Sequence, residues 1–374
     1  MAPEKTEIVA PEKKEVLRAS WGASYEILEN IGSGVYGNVY LVSDVEKKEK
    51  FAMKVMRNFY EHTRQIFDSE TQVMKHITKA NHKSFVKLLQ CGDLKRTNEN
   101  VPKLAILMDI CGPSLFKVIS DVKEKHKDGY VTFPCSDIKN IGSQLAVALD
   151  QLEKLGVYHL DVKPENIYFS MFDVKVNTEK EDAGTVIRMS DLNVCIGDFG
   201  CSKFHDRTRY SQKKPSPKQT QNYRSPEIIM GLPHSIKSDV WSFGCVLSEM
   251  YTGELLFYGN IHKDTEMVQF AMMQRIMSQQ PSWKMWRHAY KINKKVDFQG
   301  DRLPAMNDRI FSDYLRVKPF YSQRRAGHKE AVPLFHLLRD VLTFDPDLRP
   351  SFADLVNHSF FKEVAPKDED PMET

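Results

Sequence analysis

Residues 158–166 read Tyr-His-Leu-Asp-Val-Lys-Pro-Glu-Asn and follow a helical stretch that we expect to end at Gly156. Asp161 is suited to orient and deprotonate a hydroxyl group, Lys163 to contact a migrating phosphoryl group, and Asn166 to bind Mg²⁺. A polar loop between a helix and a hairpin is the alternative interpretation. The fixed offsets between residues of suitable type favour a catalytic loop for phosphoryl transfer.

A second acidic motif lies downstream, where residues 196–200 read Ile-Gly-Asp-Phe-Gly after a short apolar run. Asp198 would bind Mg²⁺ between the β- and γ-phosphates of a nucleotide. Asp-Phe-Gly alone is a common turn tripeptide, so its weight comes from its place in the order of motifs along the chain.

A glycine-rich segment lies upstream, where residues 32–39 read Gly-Ser-Gly-Val-Tyr-Gly-Asn-Val. It fits a dinucleotide-binding fingerprint, a plain hairpin turn, or a loop that covers nucleotide phosphates. A dinucleotide site requires a helix directly after the glycines, whereas residues 39–42, Val-Tyr-Leu-Val, are typical of a strand. A glycine loop between two strands can bind phosphates because backbone N–H groups come close where side chains are missing.

Lys54 lies in the apolar stretch 51–55, Phe-Ala-Met-Lys-Val. A lysine within a strand usually lies on the solvated face. Glu70 changes this interpretation, because it shares the apolar face of a helix predicted over about 59–79, and a buried acid needs a cationic partner. A Lys54–Glu70 pair would hold the ammonium group on the α- and β-phosphates of a nucleotide.

With these motifs in this order, the chain resembles the eukaryotic protein kinases over residues 25–361. The resemblance implies an α+β, two-lobed protein kinase fold, with a small β-rich N-lobe that has one helix, a larger mainly α-helical C-lobe, and ATP in the cleft. The implied boundaries are a flexible arm at 1–24, the N-lobe at about 25–108, the C-lobe at about 112–361 and a flexible tail at 362–374.

The resemblance also implies ATP and Mg²⁺ as cofactors. The catalytic residues would be Asp161, Lys163, Lys54 and Glu70, and the metal ligands would be Asn166 and Asp198. The residues expected to contact ATP are Ile31, Gly32, Ser33, Gly34, Val35, Tyr36, Gly37, Asn38, Val39, Ala52, Lys54, Asp109 and Cys111.

Three further residues match structural positions of the family. Glu227 would pair with Arg349 of the segment Asp-Leu-Arg-Pro. Asp239 would hold the catalytic loop from a helix predicted at about 238–252, which is apolar nearly all round and is therefore expected to be buried.

Two segments narrow the resemblance. Residues 222–227, Asn-Tyr-Arg-Ser-Pro-Glu, look like the CMGC group, in which Arg224 would shape the site for the residue after the acceptor. Thr220, just ahead of that segment, could hydrogen-bond Asp161 and Lys163. Residues 270–276, Phe-Ala-Met-Met-Gln-Arg-Ile, resemble the Glu-His-Leu-Ala-Met-Met-Glu-Arg-Ile-Leu motif of LAMMER (CDC-like) kinases, although a Met-rich core helix is the simpler interpretation.

Leu160 stands where many kinases have an arginine that grips a phosphorylated activation loop. LAMMER kinases are similar in lacking it, so we expect a kinase that does not require activation-loop phosphorylation. The loop at 202–219 carries several basic residues, among them Arg207, Arg209, Lys213, Lys214 and Lys218. They indicate either a solvated surface or a docking surface for acidic segments.

The LAMMER resemblance implies phosphorylation of Ser and Thr, with Tyr as a further acceptor in a dual-specificity enzyme. It implies protein substrates rich in Arg and Ser, and a nuclear location, with the cytoplasm as the alternative. A pseudokinase scaffold is the rival function, but Lys54, Asp161, Asn166 and Asp198 are all present.

Composition excludes several other classes. The 374 residues carry a net charge of +3, so no global basic field suggests nucleic acid, and only residues 316–328 hint at a basic patch. The six scattered cysteines indicate a reducing, intracellular compartment. We expect no membrane span, no direct nucleic-acid contact, and a monomer.

Overall fold

The computed structural model describes residues 16–34, 36–57, 62–96, 102–127, 130–181, 184–205, 219–258, 265–277, 279–292 and 331–362. These residues form two compact units. The first comprises the described residues up to Thr78 together with Val86–Ile110, and the second comprises Lys79–Phe85 and the described residues from Cys111 onward. The predicted boundaries of the N-lobe, 25–108, therefore need correction at Lys79–Phe85. This segment joins the second unit because Ser84 O accepts a hydrogen bond from Ile196 N at 2.8 Å.

The first unit is a closed barrel of six antiparallel strands in the order β1-β2-β3-β4-β6-β5, in which β5 pairs back with β1. Alternate side chains of these strands fill the barrel, including Leu17, Val42, Met53, Ala105 and Leu107. The strands are β1 Val16–Ala19, β2 Ser24–Ser33, β3 Gly37–Asp44, β4 Lys50–Met56, β5 Leu88–Arg96 and β6 Lys103–Met108.

Strand β1 corrects the prediction of a flexible arm over residues 1–24. Leu17 is fully buried in the barrel, opposite Tyr25 on β2 and Arg96 on β5. These pairings join segments far apart in the sequence, and a four-residue strand has too short a pattern to reveal them. Residues 1–15 lie outside the described residues.

Helix α1, His62–Lys79, lies in the first unit except for its last residue. Glu70, Val73, Met74 and Ile77 on its predicted apolar face are buried. The acidic side chain on this face is the one that the pattern singled out.

The second unit is mainly helical and is organised around helix α5. A capping box of Ser235 and Ser238 begins this helix, and Gly253, with a φ of 73°, ends it. A Cβ atom at Gly253 would lie 2.1 Å from Val131 O, so only glycine fits there. The helices that we label are α2 Leu115–Lys125, α3 Cys135–Lys154, α4 Pro226–Ile229, α5 Ile236–Thr252, α6 Thr265–Met277 and α7 Trp283–Ile292.

In the described part of this unit, three small sheets hold the loops. Strand β8 pairs with β13, β9 with β12, and β7 with β11, which in turn pairs with β10. No helix in the described part of the chain is long and apolar enough to span a bilayer. The strands are β7 Tyr130–Thr132, β8 Val157–Tyr158, β9 Ile167–Phe169, β10 Val176–Glu181, β11 Gly184–Met189, β12 Val194–Ile196 and β13 Lys203–Phe204.

Candidate active site

Asp161 lies at the centre of the predicted catalytic loop, between β8 and a 3-10 turn at Pro164–Asn166. Its Oδ1 accepts hydrogen bonds from Thr220 N at 3.0 Å and Thr220 Oγ1 at 2.7 Å. Its Oδ2 accepts from Asn166 Nδ2 at 3.1 Å and lies 2.9 Å from Lys163 Nζ. Four contacts therefore fix the orientation of one carboxylate.

Lys163 bridges Asp161 and Thr220, donating to Thr220 Oγ1 at 2.8 Å. Burial by itself lowers the pKa of Lys163, but the carboxylates of Asp161, Glu165 and Asp198 together outweigh it and raise the pKa above its ordinary value. The side chain therefore stays cationic at neutral pH, as a group that contacts a phosphoryl oxygen must.

Asp239 of α5 anchors the backbone of the catalytic loop through hydrogen bonds. Its two carboxylate oxygens accept from His159 N at 2.8 Å and Leu160 N at 2.7 Å. Leu160 has a φ of 59° and a fully buried side chain, a backbone conformation that is costly for a leucine and that these hydrogen bonds help to stabilise. Burial raises the pKa of Asp239 to about 7, and the two backbone hydrogen bonds oppose that rise.

His159 connects the catalytic loop to the Asp-Phe-Gly segment. Its Nδ1 accepts from Asp161 N at 3.2 Å, so Nε2 carries the proton and donates to Gly197 O at 3.2 Å. Its ring packs on Phe199 with the centroids 5.2 Å apart. Complete burial lowers the pKa of His159, which favours this neutral form.

Asn166 and Asp198 supply hard oxygen donors of the kind that Mg²⁺ prefers. The two segments adjoin, because Gly197 N donates to Asn166 O at 3.0 Å. Asn166 Nδ2 donates to Asp161 O at 2.8 Å, which leaves its amide oxygen as the group able to bind a cation. Asp198 is exposed. The residues present therefore fit a Mg²⁺ ion that completes its coordination with phosphate and water oxygens.

Arg224 organises the segment after Thr220. Its Nη1 donates to Glu266 of α6 at 2.5 Å, and its Nη2 donates to the carbonyl oxygen of Gln219 at 3.1 Å. Gln219 has a φ of 69°, a left-handed conformation that is uncommon for a residue other than glycine. The buried Gln219 side chain accepts from Ser225 N at 2.8 Å, which ties both ends of the segment together.

Glu227 and Arg349 form a buried bidentate ion pair at 2.9 and 2.7 Å. The other three N–H donors of Arg349 reach the carbonyl oxygens of Thr343, Lys237 and Phe344. Burial favours the neutral carboxyl, but Arg349 and the Ser238 hydroxyl overcome this and hold the pKa of Glu227 below its ordinary value.

In the first unit, Lys54 Nζ lies 2.7 Å from Glu70 Oε1, and both side chains are buried. Strand β4 places Lys54 between Val39 of β3 and Ile106 of β6. The pair compensates the burial of both charged groups.

The glycine segment is a hairpin between β2 and β3, in which Gly34 N donates to Gly37 O at 2.8 Å. A Cβ atom at Gly37 would lie 2.5 Å from Val55 O, so the backbone packs too closely for any other residue. Arg57 Nη2 donates to Ser33 Oγ at 2.7 Å and Asn38 Oδ1 at 2.9 Å.

The remaining residues predicted to bind ATP are spread over the first unit and the start of the second. Ile31, Gly32 and Tyr36 flank the hairpin, and Ile31 and Tyr36 are exposed. Ala52 is buried opposite Met108, and Asp109 N donates to Lys87 O at 3.2 Å. Cys111 is the first residue of the second unit. Val35, most of the basic loop and residues 316–328 lie outside the described residues.

Comparison with known proteins gives the family. A sequence model described as protein kinase domain matches residues 25–361. The chain belongs to the protein kinase family. This kinase is 29% identical over 358 residues to the serine/threonine-protein kinase AFC3 of Arabidopsis thaliana, covering 92% of this chain and 84% of AFC3.

Two further relatives have related names. The kinase is 28% identical to the human dual specificity protein kinase CLK1, covering 91% of this chain and 66% of CLK1. It is 27% identical to the Drosophila melanogaster serine/threonine-protein kinase Doa, again over 91% of this chain but only 39% of Doa. The expected resemblance to LAMMER kinases is confirmed, and nothing in these comparisons favours a pseudokinase.

The crystal structure of the PF14_0431 kinase domain superposes with a TM-score of 0.73 at 28% identity, covering 90% of this chain and 95% of that one. The predicted protein kinase fold is therefore confirmed.

Sequence reasoning missed several residues around the candidate site. Gln219, Glu266 and Arg57 were not predicted, although each contacts a predicted residue. Gln269 of α6 was also missed, and its Nε2 donates to Gln221 O at 2.5 Å. Arg57, Glu266 and Gln269 act through side-chain contacts at least 19 residues away, and the Gln219 side chain also reaches Ser238 and Ser242 of α5. Among these residues, only Gln269, which stands where the LAMMER motif has His, gave a local signal.

Proposed function

We propose that this kinase transfers the γ-phosphate of Mg·ATP to serine and threonine hydroxyl groups of protein substrates, with Asp161 as the catalytic base. The contacts of Asp161 with Lys163 and Thr220 carry the proposal. These contacts fix the orientation of the carboxylate. The ammonium and hydroxyl groups that bind it can still form other hydrogen bonds when a substrate arrives. A substrate hydroxyl at Asp161 would lose its proton there as the oxygen attacks phosphorus.

The other residues have complementary roles in this proposal. Lys163 neutralises charge on the migrating phosphoryl group, and Asn166 and Asp198 hold Mg²⁺, which neutralises the phosphate oxygens. In the first unit, Lys54 is positioned by Glu70 to bind the α- and β-phosphates, and the glycine hairpin offers backbone N–H groups to the nucleotide.

The proposed substrates are Arg- and Ser-rich proteins. The support is the similarity to LAMMER kinases together with the acidic side chains of Glu179 and Glu181, which are exposed on the β10–β11 hairpin. Tyrosine is a further acceptor to be tested, since CLK1 is named a dual specificity kinase. A monomeric state and a nuclear location belong to the same proposal.

The first experiment measures transfer of labelled phosphate from Mg·ATP to an Arg-Ser repeat peptide and to a generic basic protein. Asp161→Asn should lower the rate by about 10²- to 10⁴-fold, the usual contribution of a positioned base. Asp121→Asn is the matched control, because Asp121 is an exposed residue paired with Lys117 on α2, and it should leave the rate unchanged.

Each result separates the alternatives. Wild-type transfer that collapses only in Asp161→Asn supports the proposal, and a preference for the Arg-Ser peptide supports the substrate class. Absence of transfer by a wild type that still binds ATP would instead support a scaffold. Phosphoamino-acid analysis of the product distinguishes Ser/Thr specificity from dual specificity.

We also propose that activity does not require a phosphorylated activation loop. Leu160 is fully buried and offers no cation to a phosphate group. After treatment with a phosphatase and removal of that phosphatase, the kinase should transfer phosphate at an unchanged rate. A loss of about tenfold or more, restored by rephosphorylation, would contradict this part of the proposal.

A further inference from the structure

We propose that Cys111 and Cys195 form a reversible disulfide when the kinase meets a peroxide. Cys111 is among the residues predicted to contact ATP, whereas neither cysteine is assigned above to base, metal or phosphate binding. The effect of the disulfide on phosphoryl transfer rests on the proposed function, whereas formation of the bond does not.

The two sulfur atoms already touch. Cys111 Sγ and Cys195 Sγ are 3.3 Å apart, although the residues are 84 positions apart in the sequence. A disulfide bond is about 2.05 Å long, so the sulfur atoms need to approach by roughly 1.3 Å. Both residues belong to the second unit, so the pair is part of one compact structure.

Both cysteine-bearing segments are anchored to the same strand, β9. Beside Cys111, Gly112 N donates to Phe169 O at 2.8 Å. On the other segment, Cys195 of β12 pairs with Tyr168. A Cβ atom at Gly112 would lie 2.1 Å from Met171 O, so glycine is needed for this close approach. The backbone therefore holds the thiols together and no large movement is required.

The accessibility of the two thiols differs in a way that suits a two-step oxidation. Cys111 is half-buried, whereas Cys195 is 4% exposed, so we expect a small oxidant to react first with Cys111. Hydrogen peroxide converts the Cys111 thiolate to a sulfenic acid and releases hydroxide. The Cys195 thiolate then attacks that sulfur, and a second hydroxide leaves. In sum, two thiols lose two electrons and two protons, and the peroxide becomes two molecules of water.

The disulfide would restrain the strand that leads to the metal ligand. Cys195 lies three residues before Asp198, and Gly197 between them is bonded to Asn166 and His159. Moving β12 by about an ångström would shift these contacts, and misplacement on that scale can cost up to ~10²-fold in rate. We therefore expect the oxidised kinase to transfer phosphate at least about tenfold more slowly.

Peptide mapping tests the bond directly. The full chain is treated with hydrogen peroxide, alkylated and digested with trypsin, with and without dithiothreitol. The expected product links residues 104–117 to residues 189–203 and disappears on reduction. Because 189–203 also contains Cys201, the mapping is repeated in Cys201→Ser, in which the link should persist.

The decisive variant is Cys195→Ser, which should abolish the link. Cys91→Ser, a half-buried cysteine of the first unit, is the matched control and should leave it intact. A link that survives in Cys195→Ser, or peroxide treatment that yields only sulfinic acid at Cys111, overturns the proposal.

The activity measurement follows on the same samples. Peroxide should slow phosphate transfer by the wild type in proportion to the linked fraction, dithiothreitol should restore it, and Cys195→Ser should be insensitive. Complete linkage with an unchanged rate would overturn the regulatory role. If the reduced wild type transfers no phosphate, the proposed function fails, while the mapping still decides whether the disulfide forms.

Discussion

Replacing Thr220 by valine tests whether the contacts around Asp161 contribute to catalysis. Valine keeps the shape of the side chain but removes the hydroxyl that donates to Asp161 Oδ1 at 2.7 Å and accepts from Lys163 Nζ at 2.8 Å. Hydrogen bonds to charged groups contribute about 1.5–3 kcal/mol each. Thr220 is partly exposed, so water would replace part of the loss. We therefore expect a net loss equal to one such hydrogen bond, about 1.5–3 kcal/mol. This loss corresponds to a roughly 10- to 150-fold decrease in kcat/KM.

The assay is steady-state phosphate transfer to a peptide with ATP and peptide varied in turn. Thr220→Ser is the matched control, since it keeps the hydroxyl and should retain most of the activity. The KM for ATP should change little in either variant. A Thr220→Val enzyme as active as Thr220→Ser, with both equally folded by circular dichroism, would refute the role that we assign to this hydroxyl.

The remaining predictions concern ionisable side chains that are buried in the fold. Glu227→Gln should lower the free energy of unfolding by about 3–5 kcal/mol, because the arginine partner remains buried and charged. Urea titration measures this loss. The control variant Asp121→Asn should lower the free energy of unfolding by at most about 1 kcal/mol, since its ion pair is exposed. Lys54→Met should reduce kcat/KM by roughly 10²- to 10³-fold. Glu70→Gln should reduce kcat/KM by a smaller factor, since Lys54 keeps its charge. Equal reductions in the two variants would contradict the assignment of Lys54 as the phosphate-binding group and Glu70 as the residue that positions it. His159 should make the free energy of unfolding decrease as the pH drops below 6.5. Its pKa is lower in the folded state than in the unfolded state, so the unfolded state binds a proton more readily and is favoured at low pH. His159→Gln should flatten that part of the stability profile, and an unchanged profile would exclude this residue as the cause.

Much of the candidate site was accessible from local patterns. The acid on an apolar helical face led to Glu70, and the offsets within residues 158–166 led to Asp161, Lys163 and Asn166. Such patterns work because a residue type that is costly in its expected surroundings must be compensated by a partner. The contacts observed for Lys54 and Asp161 are compensations of this kind.

Other features had no local signal. Strand β1 belongs to the barrel because Leu17 completes its core, yet four residues with one buried side chain do not form a readable pattern. Gln219 likewise has a positive φ, and its side chain donates to Ser238 and Ser242 of α5, which lie 19 and 23 residues away.

The order and spacing of charged and glycine residues led to the resemblance to protein kinases and to the side chains that are the candidate catalytic groups. They could do so because phosphoryl transfer requires particular functional groups, and a short loop or helix keeps them at fixed separations. Only the tertiary structure decided that Arg224 pairs with Glu266 and that Cys111 touches Cys195. Such contacts depend on how distant segments pack around α5 and β9, and no local sequence pattern encodes the distance between two segments that meet only after folding.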